Sequence, residues 1–388
     1  MFYKLLKGVR IIFRDIAEIA IREIDYYRVR PVSATLFLTY RCDSRCQTCS
    51  RWQLPQKYLQ EHELNYLQWQ NIVDQLVTAG VDTCEIFGGN VLLRKKLLLP
   101  LLAYLHHNKI AVHLPTNQIG LDKEVAEAVV KYVDTIYVST DGLGTQQDNI
   151  RGVSGAAQNA QQAIEQLLHA REKFADSENK LRIVCNVTVS RFNADSLEAL
   201  TEYALVAGFD EIHFEYAGEF LPDEIKMSAI DGVIPDPHYV RGAYSILPDQ
   251  QTAKRIKQTL KQIKKKYQGH RLGIVTLNID SRSEQSLSTG VISHRKCYVL
   301  RKEVTVDPSG NIVPCPFVTN YPVGNMLNHQ FSELWTGEHF KRFREAHSAG
   351  RLTMCKRCIL GVQRNPGVTG QLQRIFLSRI KPKILIHK

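Results

Sequence analysis

The sequence predicts an α/β protein in which about six β–α units form a parallel sheet covered by helices, followed by a smaller cysteine-rich module. The first observation behind this prediction is that apolar stretches alternate with helical periodicity from residue 34 to residue 216. The second is a group of three cysteines after the first apolar stretch, and the third is a group of four cysteines between residues 297 and 358. Near-continuous apolar strands separated by helices are typical of a parallel sheet.

The elements follow one another in a regular order. Strands are predicted at residues 34–39, 83–87, 110–114, 135–139, 181–189 and 211–215. Helices are predicted at residues 65–79, 97–106, 123–132, 156–172 and 196–207. Right-handed crossovers would close such a run toward a barrel or toward an open doubly wound sheet, and periodicity leaves both open.

The remaining segments divide the chain further. An amphipathic helix is predicted within residues 1–30, the sheet occupies 31–220, a linker with a very basic helix occupies 221–290, a cluster-binding domain occupies 291–362, and a basic, apolar tail occupies 363–388. Both ends could pack on the body of the protein or lie at an anionic membrane surface. In the cysteine-rich module, Asp307-Pro-Ser-Gly310 between short apolar stretches predicts a hairpin.

Composition restricts the class of protein. The 388 residues are 44% hydrophobic and 23% charged, which is typical of a globular chain. The net charge of +11 favours an anionic substrate, an acidic partner or an anionic surface. Nucleic acid is not favoured, because the basic residues are spread along the chain and form no reader module. Charged residues interrupt the apolar N-terminus, so no signal peptide is predicted, and we expect a cytoplasmic protein with potential peripheral contact at the inner membrane face.

The three front cysteines have an unusual ligand count. Cys42, Cys46 and Cys49 follow the first predicted strand, where the chemistry of a parallel α/β barrel is placed. Structural zinc sites and ordinary four-iron clusters each take four protein ligands. Three closely spaced thiols fit a cluster whose fourth iron binds a ligand from outside the protein.

This spacing, Cys-x3-Cys-x2-Cys after the first strand, resembles the radical S-adenosylmethionine (SAM) superfamily. The resemblance implies a partial (β/α)6 TIM-like barrel with a small C-terminal α+β cluster-binding domain. It also implies a 4Fe–4S cluster that binds SAM, reductive cleavage of SAM to a 5′-deoxyadenosyl radical, and a flavodoxin- or ferredoxin-type reductant.

Strand-end motifs extend the resemblance to residues that would contact SAM. The family's motifs have counterparts at the ends of the second to fifth strands and in the loop after the fourth, and the residues implied are Gly88, Gly89, Asn90, Thr116, Asn117, Ser139, Asp141, Arg151, Thr188 and Ser190. Two positions depart from the family pattern. Thr48 stands where an aromatic residue is usual, with Trp52 as a candidate substitute, and Asn90 stands where an acidic residue is usual.

The back cysteines are Cys297, Cys315, Cys355 and Cys358. Their number and spacing permit a zinc ribbon. The surrounding sequence resembles the C-terminal extension of SPASM/Twitch radical SAM enzymes, which implies one fully ligated auxiliary 4Fe–4S cluster, with zinc as the alternative. The two remaining apolar-flanked thiols, Cys84 and Cys185, are predicted to be buried structural residues.

The net charge and the two termini of the chain indicate the class of substrate. The charge and the apolar termini favour a small anionic metabolite, a nucleotide-sugar or a lipid-linked precursor. Candidate substrate contacts are His213, Glu215, Tyr216 and Tyr239, although His213 and Glu215 could equally be strand residues satisfied by neighbours. The alternative function is a non-catalytic zinc or iron–sulfur protein that binds metal or carries electrons.

Overall fold

The computed structural model describes residues 30–54, 59–60, 62–176, 179–292, 297 and 299–362. The amphipathic N-terminal helix and the basic C-terminal tail predicted from the sequence lie outside these residues. Among the described residues, no helix is both long enough and apolar enough to cross a membrane.

Ten strands form one sheet. They are β1 Ser33–Thr39, β2 Thr83–Gly88, β3 Ala111–Thr116, β4 Thr135–Ser139, β5 Arg182–Val189, β6 Glu211–Tyr216, β7 Gly273–Val275, β8 Glu303–Val306, β9 Asn311–Val313 and β10 Gly324–Asn325. Their order is β10-β9-β8-β1-β2-β3-β4-β5-β6-β7. Strands β8 and β1 to β7 are parallel, whereas β9 and β10 continue the sheet in antiparallel fashion. The predicted α/β architecture with a parallel core is confirmed.

Helices lie between the strands and after the last of them, and those between the parallel strands cover one face of the sheet. They are α1 Tyr66–Ala79, α2 Lys95–His107, α3 Lys123–Tyr132, α4 Thr145–Arg151, α5 Ala156–Lys173, α6 Leu197–Ala207, α7 Pro222–Lys226, α8 Gln250–Lys266, α9 Leu277–Asp280, α10 Glu284–Thr289, α11 Val299–Lys302, α12 Phe331–Thr336 and α13 Glu338–Ser348. Short 3-10 turns occupy Arg51–Gln53, Val91–Arg94, Thr353–Arg357 and Ile359–Val362.

Local sequence explains where several helices begin and end. Asn65 and Gln68 form a capping box at the start of α1, which ends at Gly80 in the left-handed conformation. Asp249 caps the basic helix α8 by accepting a hydrogen bond from the Thr252 amide. The apolar face of α8 is buried, and its lysines lie on the opposite, solvated side, as the charge pattern predicts.

The two faces of the parallel sheet differ in polarity. On β2, Cys84 and Ile86 are fully buried toward the helices, whereas Glu85 and Phe87 are half-buried on the inner face. The same alternation along β5 buries Cys185, so both isolated cysteines occupy the predicted apolar core. The inner face is therefore where polar strand residues collect.

The sheet extends beyond the predicted units at both edges. The predicted alternation of strands and helices ends at residue 216, but β7 adds a seventh parallel strand beside β6. The predicted hairpin is present as β8 and β9, and β8 also pairs in parallel with β1, with Ser33 opposite Glu303 and Leu36 opposite Val306. Local patterning does not reveal this pairing, because it joins residues that are far apart in the chain.

A pair of half-buried acids, Glu85 and Glu303, accompanies the β8–β1 junction. Thr35 donates a hydrogen bond of 2.7 Å to the Glu303 carboxylate, and Thr35 also lies opposite Glu85 on β2. Burial and the neighbouring charge of Glu303 raise the pKa of Glu85 to about 8. The Glu85 carboxyl therefore retains its proton in the folded protein at neutral pH.

We expect the variant Glu85→Gln to lose less stability than the native protein as the pH rises. Glu85 has a pKa of about 8 in the folded state, against roughly 4.3 for an unperturbed glutamate. The folded state therefore binds more protons between these values, so stability is complete below the lower pKa and falls as the pH rises through the higher one. Thermal unfolding followed by circular dichroism at about pH 6 and about pH 9 measures the difference.

The exposed Glu202 supplies a matched control for this experiment, because it lies on the surface of α6. Glu202→Gln should show the same fall in unfolding midpoint between the two pH values as the native protein. An equally steep fall in Glu85→Gln would contradict the assignment of the pH dependence to Glu85.

Candidate functional site

The loop that carries Cys42, Cys46 and Cys49 is held by backbone hydrogen bonds from two sides. At the end of β2, the Gly89 amide donates to the Thr39 carbonyl at 2.9 Å, and the Asn90 amide donates to the Arg41 carbonyl at 2.8 Å. From the other side, the amides of residues 45 and 47 donate to carbonyls at the end of α4, at 3.0 and 2.9 Å. These contacts fix the path of the loop.

Three glycines make this close approach feasible. A Cβ atom at Gly88 would lie 2.2 Å from the Thr39 carbonyl oxygen, and one at Gly89 would lie 2.0 Å from the Arg41 oxygen. A Cβ atom at Gly152, after α4, would lie 2.4 Å from the Arg45 oxygen. Only glycine fits at such distances. Gly88 and Gly89, which the resemblance assigns to SAM, thus also seat the cysteine loop.

Each of the three sulfur atoms has an N–H donor beside it. The Asn117 side chain lies 4.0 Å from Cys42 Sγ, the Arg151 guanidinium 3.9 Å from Cys46 Sγ, and the Arg51 amide 3.4 Å from Cys49 Sγ. Burial raises the pKa of Cys42 to about 12 and that of Cys49 to about 11. Donors to sulfur stabilise thiolates, and a cationic centre would supply the remaining stabilisation, so the thiols fit a metal cluster.

Arg151 is positioned by Asp141, which is only 1% exposed. The Arg151 guanidinium forms an ion pair of 2.8 Å with this carboxylate, which also accepts a hydrogen bond of 2.7 Å from the Thr188 amide. The resemblance assigns all three residues to SAM contacts. The Asp141 carboxylate thus links the Thr188 amide on β5 to the Arg151 guanidinium. The guanidinium in turn contacts Cys46 Sγ.

Asn90 and Asn117 form a second network around the loop. The Asn90 side chain donates to both carboxylate oxygens of Asp43, at 3.1 and 3.0 Å, and to the Ile119 carbonyl at 3.0 Å. The Asn117 side chain donates to Asp43 at 3.1 Å and to the Ser44 hydroxyl at 2.8 Å. An acidic residue at position 90 would face the negatively charged Asp43 carboxylate. Asparagine at this position can instead donate hydrogen bonds to Asp43, which accounts for the departure from the family pattern.

The other residues assigned to SAM lie in the turns at the strand ends. Thr116 and Ser190 are buried and accept hydrogen bonds from the amides of Gln118 and Phe192. Ser139 accepts a bond from Gln147 through its carbonyl, at 3.1 Å. Their contacts with SAM stay predictions.

Sequence reasoning missed several residues that pack on the loop. Arg51 is buried, lies 4.6 Å from the ring centroid of Tyr40, and has its guanidinium 2.8 Å from the His238 ring. The Ser50 amide donates to the His238 carbonyl at 3.0 Å. The position of Arg51, two residues after Cys49, was an available signal, whereas nothing in the composition of residues 221–250 singles out His238.

The two residues near the family's aromatic position differ in burial. Thr48 is buried, and Trp52 is half-buried with its indole N–H 3.3 Å from the Cys46 carbonyl. Trp52 therefore contacts the cysteine loop, where it was predicted as a substitute for the missing aromatic residue.

The four thiols of the C-terminal module, Cys297, Cys315, Cys355 and Cys358, influence one another's pKa. Burial, followed by the neighbouring thiols Cys358 and Cys297, raises the pKa of Cys315. The pKa of Cys355 is raised by burial and by the other three thiols of this group. Within the described ranges, no three His, Cys, Asp or Glu side chains are grouped so that they could hold one metal ion. The four thiols nevertheless lie near enough to interact, which fits the sulfur donor set of a cluster.

The predicted substrate contacts do not form one group. His213 Nε2 lies 2.6 Å from the Glu211 carboxylate, and Glu215 accepts a hydrogen bond from Asn278, so both residues have partners on or beside β6. Tyr216 is buried, and the guanidinium carbon of Arg282 lies 4.1 Å from the centroid of the Tyr216 ring. Tyr239 is half-buried, and burial followed by the neighbouring Cys49 and Cys46 raises its pKa, which indicates that this tyrosine lies near the front thiols.

Two protein-family models match the chain. The family model described as the radical SAM superfamily matches residues 36–207, and that of the SPASM iron–sulfur cluster-binding domain matches residues 297–359. The chain is 24% identical over 315 residues to a PqqA peptide cyclase from Streptomyces rochei, covering 79% of this chain and 75% of that one. A pre-heme d1 synthase from Dinoroseobacter shibae is 24% identical over 319 residues, covering 77% and 72%.

A solved structure shares the fold. The crystal structure of Streptococcus suis SuiB bound to S-adenosylmethionine superposes with a TM-score of 0.59 at 16% identity, covering 89% of this chain and 78% of that one. The mixed α/β architecture with a C-terminal cluster domain is thus the one found in this neighbour.

We expect Asn90→Asp to weaken the cysteine loop. The new carboxylate would face Asp43, and the bond to the Ile119 carbonyl would be lost, at a cost of about 1–3 kcal/mol for a buried polar group without a partner. The double variant Asp43→Asn/Asn90→Asp restores an amide–carboxylate pair with the roles exchanged. Iron content after anaerobic reconstitution, together with the thermal unfolding midpoint, should fall in the single variant and partly recover in the double one.

The exposed Asn71 on α1 provides the control, since Asn71→Asp adds the same charge away from the loop. Native iron content in Asn90→Asp, or a double variant no better than the single one, would contradict the role of the Asn90–Asp43 pair.

Proposed function

Because this chain belongs to the radical SAM superfamily and carries a SPASM domain, we propose that Cys42, Cys46 and Cys49 hold a 4Fe–4S cluster whose fourth iron binds SAM. The single observation that carries this proposal is the set of three half-buried, donor-supported thiols with one ligand fewer than a closed cluster needs. When bound, this cluster supplies the electron that cleaves SAM to methionine and a 5′-deoxyadenosyl radical, which abstracts hydrogen from the substrate.

The protein's own residues prepare this site. The donors Asn117, Arg151 and the Arg51 amide stabilise the three thiolates, and Asp141 keeps Arg151 in place. For SAM itself, we propose the carbonyls of Gly88 and Gly89 and the strand-end residues implied by the resemblance, Asn90, Thr116, Asn117, Ser139, Asp141, Arg151, Thr188 and Ser190. Asn90, Asp141 and Arg151 would act on SAM mainly by shaping the loop, since their side chains already have protein partners.

For the C-terminal module we propose one auxiliary 4Fe–4S cluster held by Cys297, Cys315, Cys355 and Cys358. The mutual interaction of these thiols and the SPASM match at residues 297–359 support it. Zinc at the same four thiols is the other outcome, and metal analysis separates the two.

Two substrate classes follow from different observations. The net charge of +11 supports an anionic metabolite, a nucleotide-sugar or a lipid-linked precursor. The similarity to a PqqA peptide cyclase supports a peptide as the second candidate. Stimulation of 5′-deoxyadenosine formation by members of each class under reducing, anaerobic conditions would decide between them, with a flavodoxin or ferredoxin as the electron donor.

We expect the reconstituted protein to contain about eight irons per chain, the number for two four-iron clusters, and to form 5′-deoxyadenosine from SAM only with a reductant. The triple variant Cys42→Ala/Cys46→Ala/Cys49→Ala should lose all of this activity and retain about half of the iron. Chromatography of the nucleoside product and iron analysis measure both quantities.

The variant Cys84→Ser serves as a control, because Cys84 lies in the apolar core and outside both thiol groups. It tests whether the loss in the triple variant is specific to the proposed ligands. SAM cleavage that survives in the triple variant would contradict the proposed function.

We also propose that the two terminal segments, residues 1–30 and 363–388, hold the enzyme at an anionic membrane surface. Their pattern of basic and apolar residues supports this. The full chain should float with vesicles containing anionic lipid, whereas a chain limited to residues 30–362 should remain in the dense fraction. Flotation of neither form, or of both equally, would contradict the proposal.

A further inference from the structure

Arg282 is a buried arginine near Cys358 of the C-terminal module. It is 4% exposed, and its guanidinium lies 4.1 Å from the ring centroid of Tyr216. One of its nitrogens, Nη1, lies 3.5 Å from the Ser286 hydroxyl. The other two, Nε and Nη2, have no hydrogen-bond partner among the described residues, and the buried Tyr216 hydroxyl has none there either. Two buried donors of a charged group therefore lack a hydrogen-bond partner within the described part of the chain.

Neighbouring arginines in the same region are matched by acids. Arg241 pairs with Glu219, and Arg357 pairs with Glu224 at 2.7 Å. For Arg282, the groups whose charge would favour the cation are Tyr216 and Cys358, and neither is a carboxylate. A buried cation is strongly unfavourable unless it is paired or lies near a metal centre.

The backbone holds Arg282 where it is. The Lys257 ammonium donates to the Arg282 carbonyl, and the Arg282 amide donates to the Ile279 carbonyl at 3.1 Å. Just beyond α10, the Ile292 amide donates to the Lys356 carbonyl at 2.6 Å, and the Arg357 side chain donates to the Thr289 carbonyl. The segment that carries Arg282 is therefore attached directly to the loop between Cys355 and Cys358.

We propose that Arg282 is the counter-ion of the auxiliary cluster, and that its unpaired N–H groups donate to the cluster's sulfur atoms or to the Cys358 thiolate. This inference rests on the auxiliary cluster of the proposed function. A four-iron cluster with four thiolates has a net negative charge that increases on reduction, so a fixed cation beside it stabilises the reduced form more. Arg282 thereby raises the reduction potential of the auxiliary cluster.

Arg151 at the front cluster gives an informative contrast. Its guanidinium also approaches a cysteine, but the Asp141 carboxylate compensates for its charge at 2.8 Å. Arg282 has no such carboxylate within the described part of the chain. The arginine beside the front thiols is therefore compensated by a carboxylate, whereas Arg282 is not compensated by one among the described residues.

The experiment uses the full chain with Cys42, Cys46 and Cys49 replaced by Ala, so that the auxiliary cluster alone gives a signal. Its midpoint potential is measured by redox titration with electron paramagnetic resonance, before and after Arg282→Gln and Arg282→Lys. At the native midpoint, the ratio of reduced to oxidised cluster should fall at least tenfold in Arg282→Gln, which corresponds to about 59 mV for a one-electron couple. Arg282→Lys, which keeps the charge, should lie closer to the native value.

Lys356→Gln is the matched control, because it removes the same charge from an exposed residue between Cys355 and Cys358. Its shift should be smaller than that of Arg282→Gln, since solvent screens the exposed charge. If Arg282→Gln does not retain the cluster, iron retention in Arg282→Lys decides: retention supports the proposal, and loss equal to that in Arg282→Gln overturns it.

A shift in Arg282→Gln no larger than that in Lys356→Gln would likewise overturn the proposal. An unmodified C-terminal site that takes up zinc or no iron would instead refute the auxiliary cluster itself. Iron analysis of the parent protein separates these two failures.

Discussion

The contact between the cysteine loop and two neighbouring backbones is the constraint on which the front site depends. Thiols can share a cluster only if their Cα positions are fixed, and here the loop after β1 is pressed against the end of β2 and the end of α4. Gly88, Gly89 and Gly152 permit this, because each places its backbone where a Cβ atom would overlap a carbonyl oxygen of the loop. The hydrogen bonds from Gly89 and Asn90 to the loop then use that closeness.

Charge is arranged around this backbone frame so that thiolates are stabilised at the sulfur atoms themselves. Burial is the largest factor that raises the pKa of Cys42 and Cys49, and it opposes the ionisation of these thiols. An N–H donor at each sulfur favours the ionised thiolate. Asp141 holds Arg151, the charged donor among the three, in position. The front loop therefore combines partial burial of its thiols with the donors that a thiolate needs.

The sequence predicts those parts of the molecule that depend on local pattern. Periodicity places the strands β1 to β6 within one or two residues, and the Asp307–Gly310 turn predicts the hairpin of β8 and β9. The pairing of β8 with β1 could not be predicted this way, because it depends on closure across most of the chain. β7 is missed because it is only three residues long and half-buried.

The same distinction applies to the candidate site. Cysteine spacing and glycine motifs are visible in one dimension, so the thiols and the seat of the loop can be identified. The partners of Asp141, Asn90 and Arg282 cannot, because a side chain's hydrogen bonds depend on which distant residue folds beside it. Asp141, for example, belongs to a strand-end motif that the resemblance assigns to SAM. Its immediate partner in the structure is instead Arg151.

The pairing of β8 with β1 has a consequence for how the two thiol groups are related. The front loop leaves the end of β1, and the chain reaches Cys315 through β8 and β9, so one set of sheet hydrogen bonds connects the two supports. Side chains reinforce this link, since Arg51 lies 3.3 Å from the Thr319 hydroxyl and the His238 ring centroid lies 4.9 Å from that of Phe317. A separation set by a continuous sheet and a buried aromatic contact is more rigid than one set by a linker. The geometry between the two sites is therefore a property of the folded core itself.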